Sequence, residues 1–241
     1  GPTGGGKSTL LYACLRELLL DHTKIICSLE DPIEQVVAGV HQREIAEGRT
    51  FASMLRAMLR QDPDVIMLGE VRDNESAKVA LNAALSGHLL LTTTHGANVF
   101  DVFNRLEQFG VSSDVILSAL RLVLALRLVP ENCKNCLKQV RIPEILAKRL
   151  KINVEQLAYL SQGCEVCNFG KNGKQRILIE ALVMTEQVKN HILSGVSIGH
   201  YPEIYGYRPM WLEIRELLIG GMISPAVAAK FLGIAEAYLS D

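Results

Sequence analysis

The chain has 241 residues and a formal net charge of −1, with 25 lysines and arginines against 26 aspartates and glutamates. This balance argues against a protein that mainly coats nucleic acid, because such proteins carry a strongly basic surface. Hydrophobic residues make up 49% of the chain, which excludes intrinsic disorder, and no apolar run reaches the length of a membrane span.

The first residues match the phosphate-binding pattern G-x4-G-K-S/T. Glycines let successive backbone N–H groups face a phosphate, and a helix that follows directs its N-terminal dipole at the same group. Apolar residues at helical spacing from Leu10 to Leu19 predict that helix. The predicted nucleotide-binding residues are Gly1, Pro2, Thr3, Gly4, Gly5, Gly6, Lys7, Ser8 and Thr9.

Because the chain begins with Gly1 inside this motif, we expect it to be a piece of a longer protein. The strand that normally precedes a phosphate loop and an N-terminal domain are then expected upstream of Gly1.

Three β-rich segments follow, and each carries polar residues at its ends. Such residues at the carboxyl ends of parallel strands lie where open α/β sheets bind ligands. The segments cover residues 24–29, 64–68 and 89–94; the polar residues beside them are Glu30, Asp31 and Glu34, then Glu70, and finally His88 and His95.

Helices are predicted between these strands. Thr50 can cap a helix over residues 51–61, and Asn74 can cap one over residues 75–85. This alternation predicts an α/β core with a mainly parallel sheet.

Four of these motifs, in order, resemble the secretion-ATPase superfamily, the hexameric motors of type II secretion and type IV pilus assembly. They correspond to the Walker A box at residues 1–8, the Asp box at 30–34, the Walker B box at 69–73 and the His box at 86–95. The similarity covers roughly residues 1–185 and implies a RecA-like P-loop ATPase core.

The resemblance implies ATP hydrolysis at a site between subunits. Lys7 and Ser8 would hold phosphate and Mg²⁺, Glu34 would polarise the attacking water, and Glu70 would lie at the metal or its water shell. His95 would lie near the γ-phosphate, and His88 would be a structural or interface residue. Transition-state charge would be stabilised by one or more of Arg43, Arg56, Arg60 and Arg72.

The same resemblance implies a cytoplasmic homo-oligomer, most simply a hexamer, held at the inner membrane by platform and anchoring proteins. No nucleic-acid partner and no membrane span of its own are expected.

Two C-x2-C pairs, separated by 27 residues, follow the core. Four thiolates in two such pairs are typical of a structural zinc site, Cys133, Cys136, Cys164 and Cys167. Disulfides, free thiols or an iron–sulfur cluster are the alternatives, and zinc is the prediction. The segment around these residues is expected to hold few large apolar groups and to depend on metal for its folding.

The predicted organisation has three parts: the ATPase core over 1–129, a zinc-binding subdomain over 130–174 and a mainly helical subdomain over 175–241. In the last part we predict a strand over 175–184, a helix from Thr185 to Leu193 and a loop over 195–209. Amphipathic helices are predicted over 211–218 and 225–239.

Two other functions compete with secretion. A nucleic-acid motor could use the four cysteines as a zinc ribbon, but the insert has only Tyr159 and Phe169 as stacking aromatics. A metal-stabilised adaptor that binds nucleotide without turnover is disfavoured by the presence of Glu34, Glu70 and His95 together.

Overall fold

The structure, a computed structural model, describes residues 1–170, 173–194 and 206–234. Among these residues no helix is both long and apolar enough to cross a membrane.

The first part of the chain alternates helices and strands. Their bounds are α1 Lys7–Leu18, β1 Ile26–Glu30, β2 His41–Glu44, α2 Phe51–Leu59, β3 Val65–Leu68, α3 Asn74–Leu85, β4 Leu89–Thr92, α4 Asp101–Gln108 and α5 Ser113–Ala119.

The later part mixes short strands and helices. Their bounds are β5 Leu122–Pro130, β6 Leu137–Arg141, α6 Glu144–Leu150, β7 Leu157–Ser161, β8 Gln175–Val183, α7 Glu186–Leu193, β9 Tyr207–Arg208, α8 Met210–Ile219 and α9 Pro225–Phe231. Short 3₁₀ turns cover Lys134–Cys136 and Glu165–Gly170.

The four-stranded sheet has the order β2-β1-β3-β4, and every neighbouring pair in it is parallel. Side chains alternate between its two faces, as in any strand. Ile26 and Met67 pack on one face with Leu15 of α1. Leu29 and Ile66 pack on the other face in the cluster that includes α2 and α3 residues. The predicted α/β fold with a parallel sheet is therefore confirmed.

Most of the helices and strands predicted for this sheet region form, and the strands are shorter than predicted. Thr50 caps α2 as predicted, since its side chain accepts from the Ser53 N–H. The cap predicted for α3 is wrong by one residue: Asp73 is the N-cap, and its carboxylate accepts from the N–H and hydroxyl of Ser76 at 2.8 and 2.7 Å. Strand β2 was not predicted.

The remaining strands form a three-stranded sheet in the order β5-β8-β9 and the antiparallel pair β6-β7. The predicted strand over 175–184 corresponds to β8, and Thr185 caps α7 as predicted. The helix predicted over 211–218 corresponds to α8. The helix predicted over 225–239 is wrong at residues 232–234, because α9 ends at Phe231 and Gly233 has a φ of 70°; residues 235–239 lie outside the described residues. Residues 195–205 of the loop predicted over 195–209 also lie outside the described residues, and in its described part the loop prediction is wrong for Tyr207 and Arg208, which form β9.

Contacts group the chain into two compact units. Of the described residues, the first contains 1–125, 182–194 and 206, and the second contains 126–170, 173–181 and 207–234. The parallel sheet belongs to the first unit and the four paired cysteines to the second. The three-part division predicted from the sequence does not coincide with these units and stays a prediction.

Candidate nucleotide site and cysteine cluster

The glycine-rich loop is shaped to receive an anion. Gly4 and Gly6 have φ angles of 73° and 90°, values that favour glycine. Gly6 is the N-cap of α1 and offers no side chain, and no acidic residue stands in the first turn. The amides at the start of α1 and the positive end of its dipole are thus open to phosphate.

The Lys7 ammonium turns back over this loop. It donates to the carbonyl oxygens of Gly1 at 2.7 Å and Pro2 at 3.2 Å, and it lies 3.5 Å from Nδ1 of His95. The phosphate loop and the His box, 88 residues apart in sequence, are therefore in contact.

A chain of polar contacts continues along the carboxyl edge of the sheet. His95 Nε2 lies 3.0 Å from a carboxylate oxygen of Glu70, and Arg72 Nε donates to the other oxygen at 2.9 Å. The same Arg72 guanidinium lies 3.6 Å from the Asp31 carboxylate. Residues that follow β1, β3 and β4 are thus joined by contacts at one edge of the sheet, and His95 connects them to the phosphate loop.

Thr93, the residue that follows β4, holds the main chain around Glu70. The Thr93 hydroxyl donates to the Gly69 carbonyl at 2.7 Å, and the Val71 N–H donates to the Thr93 carbonyl at 3.1 Å. The Glu70 side chain is 16% exposed, whereas that of His95 is 54% exposed. Glu70 is therefore largely shielded from solvent, whereas His95 is accessible to it.

The described contact of Glu34 is made by its main chain and goes to Tyr12, not to Lys7, His95 or Glu70. Glu34 is exposed, and its N–H donates to the Tyr12 hydroxyl at 3.2 Å. Glu30, the first acid of the Asp box, is buried and accepts hydrogen bonds from Tyr12, Ser28 and Gln42. Glu30 thus supports the loop that carries Glu34.

The arginines differ in their surroundings. Arg72 lies at the Glu70 carboxylate, while Arg56 of α2 pairs with Glu75 of α3 at 2.8 Å. Arg43 donates to the Gln61 side chain at 3.4 Å, and Arg60 is exposed. Within one chain, Arg72 is the one of these four that the described contacts bring to Glu70, and the catalytic roles of all four stay predictions.

His88 lies at the end of α3. Its Nδ1 is 3.0 Å from the Ala83 carbonyl oxygen and 3.2 Å from the Ser86 hydroxyl. These contacts are those of a structural histidine at a helix end, one of its two predicted roles.

In the second unit, the antiparallel pairing of β6 with β7 brings the cysteines together. Leu137 pairs with Ser161, so the residues just before β6 and just after β7 lie at the same end. The Cys133 N–H donates to the Ser161 hydroxyl at 2.6 Å, and the Gln162 N–H donates to the Cys136 carbonyl at 3.0 Å. The two C-x2-C segments, residues 133–136 and 164–167, are called knuckles below. These contacts hold the two knuckles next to each other although they are distant in sequence.

The sulfur spacing fits a tetrahedral metal. Sulfur–sulfur distances are 3.9 Å for Cys133 and Cys164, 3.9 Å for Cys136 and Cys167, and 3.7 Å for Cys164 and Cys167. A ZnS₄ tetrahedron with bonds of about 2.3 Å has edges of about 3.8 Å. All four are free cysteines in the structure, with sulfur–sulfur distances well above the about 2.05 Å of a disulfide bond.

Hydrogen bonds also favour a thiolate in this cluster. The Cys164 N–H donates to the Cys167 sulfur at 3.3 Å. This main-chain donor is the largest influence that lowers the pKa of Cys167 to about 7. Metal ligation requires the thiolate form, which this bond favours at Cys167, whereas burial raises the pKa of the Cys136 thiol to about 11.

The expectation that residues 130–174 hold few large apolar groups is wrong. Leu146 and Leu150 of α6 are fully buried, and Ile142 is nearly so. Contacts of α6 with α8 and α9 supply the core that the knuckles themselves lack. The second unit therefore has apolar support besides any metal.

Comparisons with known proteins agree with this geometry. The model of the Type II/IV secretion system protein family matches residues 1–209. The chain is 40% identical over 205 residues to the "Protein transport protein HofB homolog" of Escherichia coli strain K12, covering 82% of this chain and 43% of that protein. It is 38% identical over 211 residues to the "Type IV pilus assembly ATPase PilB" of Thermus thermophilus, covering 85% and 24%.

Solved structures show the same fold. The chain superimposes on the Legionella pneumophila ATPase DotB with a TM-score of 0.70 at 27% identity, covering 97% of this chain and 58% of that one. The pilus retraction motor PilT with bound ADP gives a TM-score of 0.73 at 26% identity, covering 96% and 59%. The chain spans less than half the length of the curated relatives named above. It belongs to the Type II/IV secretion system protein family, and the resemblance inferred from its four boxes is confirmed.

Proposed function

We propose that this chain is the ATP-hydrolysing part of a ring-forming motor that powers type II protein secretion or type IV pilus assembly. One observation carries the proposal: Lys7 of the phosphate loop, His95 and Glu70 lie in one continuous chain of contacts at the edge of the parallel sheet. The relatives named for protein transport and for pilus assembly support the choice of machine.

The roles of the residues follow from their chemistry. The loop amides and the Lys7 ammonium bind the β- and γ-phosphates. Ser8 and Glu70 offer the oxygen ligands that Mg²⁺ prefers, and Mg²⁺ when bound neutralises phosphate charge. Glu34 orients the attacking water, and His95 stands beside Lys7 where the γ-phosphate would lie.

A neighbouring subunit would complete the site. All four arginines are exposed, but Arg72 lies at Glu70 and Asp31 of its own chain, whereas the described contacts of Arg43 and Arg56 are with Gln61 and Glu75, away from Glu70. We propose that one or more of Arg43, Arg56 and Arg60 stabilises transition-state charge across a subunit boundary, in a homo-oligomer that is most simply a hexamer. Attachment to inner-membrane platform and anchoring proteins from the cytoplasm is part of the same proposal.

Concentration dependence of ATPase activity tests the ring. A site completed by a neighbour's arginine is weak in a monomer, so specific activity should rise with protein concentration as the oligomer forms. The rate and the mass should be followed together, by phosphate release and light scattering, using the full-length protein. Activity that is constant with concentration in a protein that stays monomeric with nucleotide would contradict the ring.

The same assay separates a secretion motor from a nucleic-acid motor. Addition of DNA should leave the rate unchanged within about twofold. Several-fold stimulation by DNA would favour the zinc-ribbon alternative.

We also propose that Cys133, Cys136, Cys164 and Cys167 bind one structural Zn²⁺. Because all four positions are filled by protein, the metal would hold the knuckles together without a catalytic position. Elemental analysis should find one zinc per chain.

Cysteine-to-serine variants test the ligands. Cys136→Ser should release the zinc and accelerate hydrogen exchange in the two knuckles first, while α6 stays protected by its buried leucines. Nucleotide affinity should change less than about twofold, since the phosphate loop belongs to the other unit. The control Cys14→Ser, outside the cluster, should keep its zinc. An iron–sulfur absorption band in the wild-type protein, or no metal at all, would refute the assignment.

A further inference from the structure

A buried acid lies behind the exposed site. Glu30, at the end of β1, is 4% exposed. Its carboxylate accepts from the Ser28 hydroxyl at 2.6 Å, from the Gln42 amide at 3.0 Å and from the Tyr12 hydroxyl. A carboxylate taken out of water needs such donors, so this set of contacts accounts for its burial.

Tyr12 connects this acid to the Asp-box loop. The side chain lies on α1 and is 3% exposed. Besides donating to Glu30, its hydroxyl oxygen accepts the N–H of Glu34 at 3.2 Å and that of Gln35 at 3.1 Å. One hydroxyl therefore joins the helix, the end of the strand and the loop.

The direction of these hydrogen bonds is fixed by chemistry. Burial, followed by the bond to Glu30, raises the pKa of Tyr12 to about 12, so the hydroxyl keeps its proton at working pH. The two main-chain N–H groups can only donate, which directs the hydroxyl proton to the carboxylate of Glu30. Both lone pairs of the hydroxyl are then used by the loop.

Strand β2 supplies the rest of the support. The Gln42 amide also donates to the Gln35 carbonyl at 2.9 Å, and its oxygen accepts the Val37 N–H at 2.6 Å. The Glu44 carboxylate accepts the Ile33 N–H at 2.9 Å. The main chain of the Asp box is thus held by side chains of α1 and β2.

We propose that Tyr12 is a positioning residue for hydrolysis, whose hydroxyl sets the Asp-box main chain relative to the phosphate loop and thereby places Glu34. Lys7 and Tyr12 lie on the same helix, about 7.5 Å apart along its axis at 1.5 Å per residue. A rigid helix therefore relates the phosphate-binding end directly to the loop that carries Glu34. The inference rests on the catalytic role proposed above for Glu34.

Tyr12→Phe tests the proposal, because it removes the hydroxyl and leaves the buried ring. We expect kcat to fall by about 10- to 100-fold, as for a misplaced catalytic group, with KM for ATP and the affinity for ADP within about twofold. Amide exchange at Glu34 and Gln35 should become faster in the same variant. An unchanged kcat would overturn the proposal, even with faster exchange.

Ser28→Ala is the matched control for stability. It also removes one hydroxyl donor from the Glu30 carboxylate, but the described hydrogen bond of the Ser28 hydroxyl goes to Glu30 and not to the Asp-box loop. It should lower the melting temperature less than Tyr12→Phe, which removes three hydrogen bonds instead of one, and leave kcat within about twofold. Equal loss of kcat in both variants would reduce Tyr12 to a structural role and overturn the proposal.

A double variant tests whether Tyr12 acts through Glu34. If Tyr12 acts by placing Glu34, adding Tyr12→Phe to Glu34→Gln should lower kcat less than about twofold further. A full additional loss would overturn the proposal while the role of Glu34 stands. A Glu34→Gln variant with wild-type kcat would instead remove the role of Glu34 itself, so the two failures give different results.

Discussion

Replacing Lys7 with alanine is expected to lower ATP turnover by about two to three orders of magnitude with the fold retained. Removal of one preorganised charge from a phosphate site typically costs about that much in kcat. Lys7 is the cation of the loop itself, and its ammonium already lies between the loop carbonyls and His95. Phosphate release under saturating ATP measures the loss, and circular dichroism checks the fold.

Lys24→Ala is the control for this substitution. Lys24 is an exposed lysine that pairs with Asp21 at 3.3 Å in the turn after α1. An exposed pair of this kind contributes little to stability, so turnover should stay within about twofold. Wild-type turnover in Lys7→Ala would refute the phosphate-loop assignment.

Replacing Glu70 with glutamine should abolish most hydrolysis while nucleotide stays bound. The substitution keeps the shape of the side chain and removes its charge, and a group that holds metal or water acts mainly in the transition state. We expect kcat to fall about 10²- to 10³-fold and the affinity for ADP, measured by calorimetry, to stay within a few-fold. Glu34→Gln should show the same separation of turnover from binding.

Glu107→Gln is the control for the carboxylate variants. Glu107 is exposed on α4 and accepts from the Ser113 hydroxyl at 2.7 Å, so its neutralisation should leave kcat unchanged. Loss of nucleotide binding together with turnover in Glu70→Gln would show that Glu70 organises the site rather than the reaction. Normal turnover in that variant would refute its catalytic role.

The sheet could be predicted because its strands are buried on both faces. The apolar runs that became β1 and β3 differ clearly from the amphipathic helices between them. Strand β2 gave no such signal, since its sequence His-Gln-Arg-Glu is polar and largely exposed. It forms through main-chain pairing with β1 and through the side chains of Gln42 and Glu44, contacts that a local pattern does not encode.

The site was predictable where a motif carries the chemistry. The phosphate loop, Glu70, His95 and the four cysteines stand in recognisable patterns, and the structure brings each group together. Tyr12 was missed because its hydroxyl meets residues 18 to 23 positions away, on a helix face that reads as ordinary core. Contacts of this kind arise when helices, strands and loops pack together, and they leave no characteristic residue spacing in the sequence.

The cysteine cluster also determines how the protein responds to oxidants. Sulfur atoms 3.7 to 3.9 Å apart need to approach by only about 2 Å to form a disulfide bond. A metal that ligates all four thiolates blocks this reaction, whereas a chelator under air leaves Cys133 opposite Cys164 and Cys136 opposite Cys167 free to be joined in pairs. The spacing that suits a tetrahedral ion thus also suits disulfide formation, and a zinc ion bound as proposed would protect the four thiols from oxidation. A reducing buffer without chelator should therefore preserve the second unit best during purification.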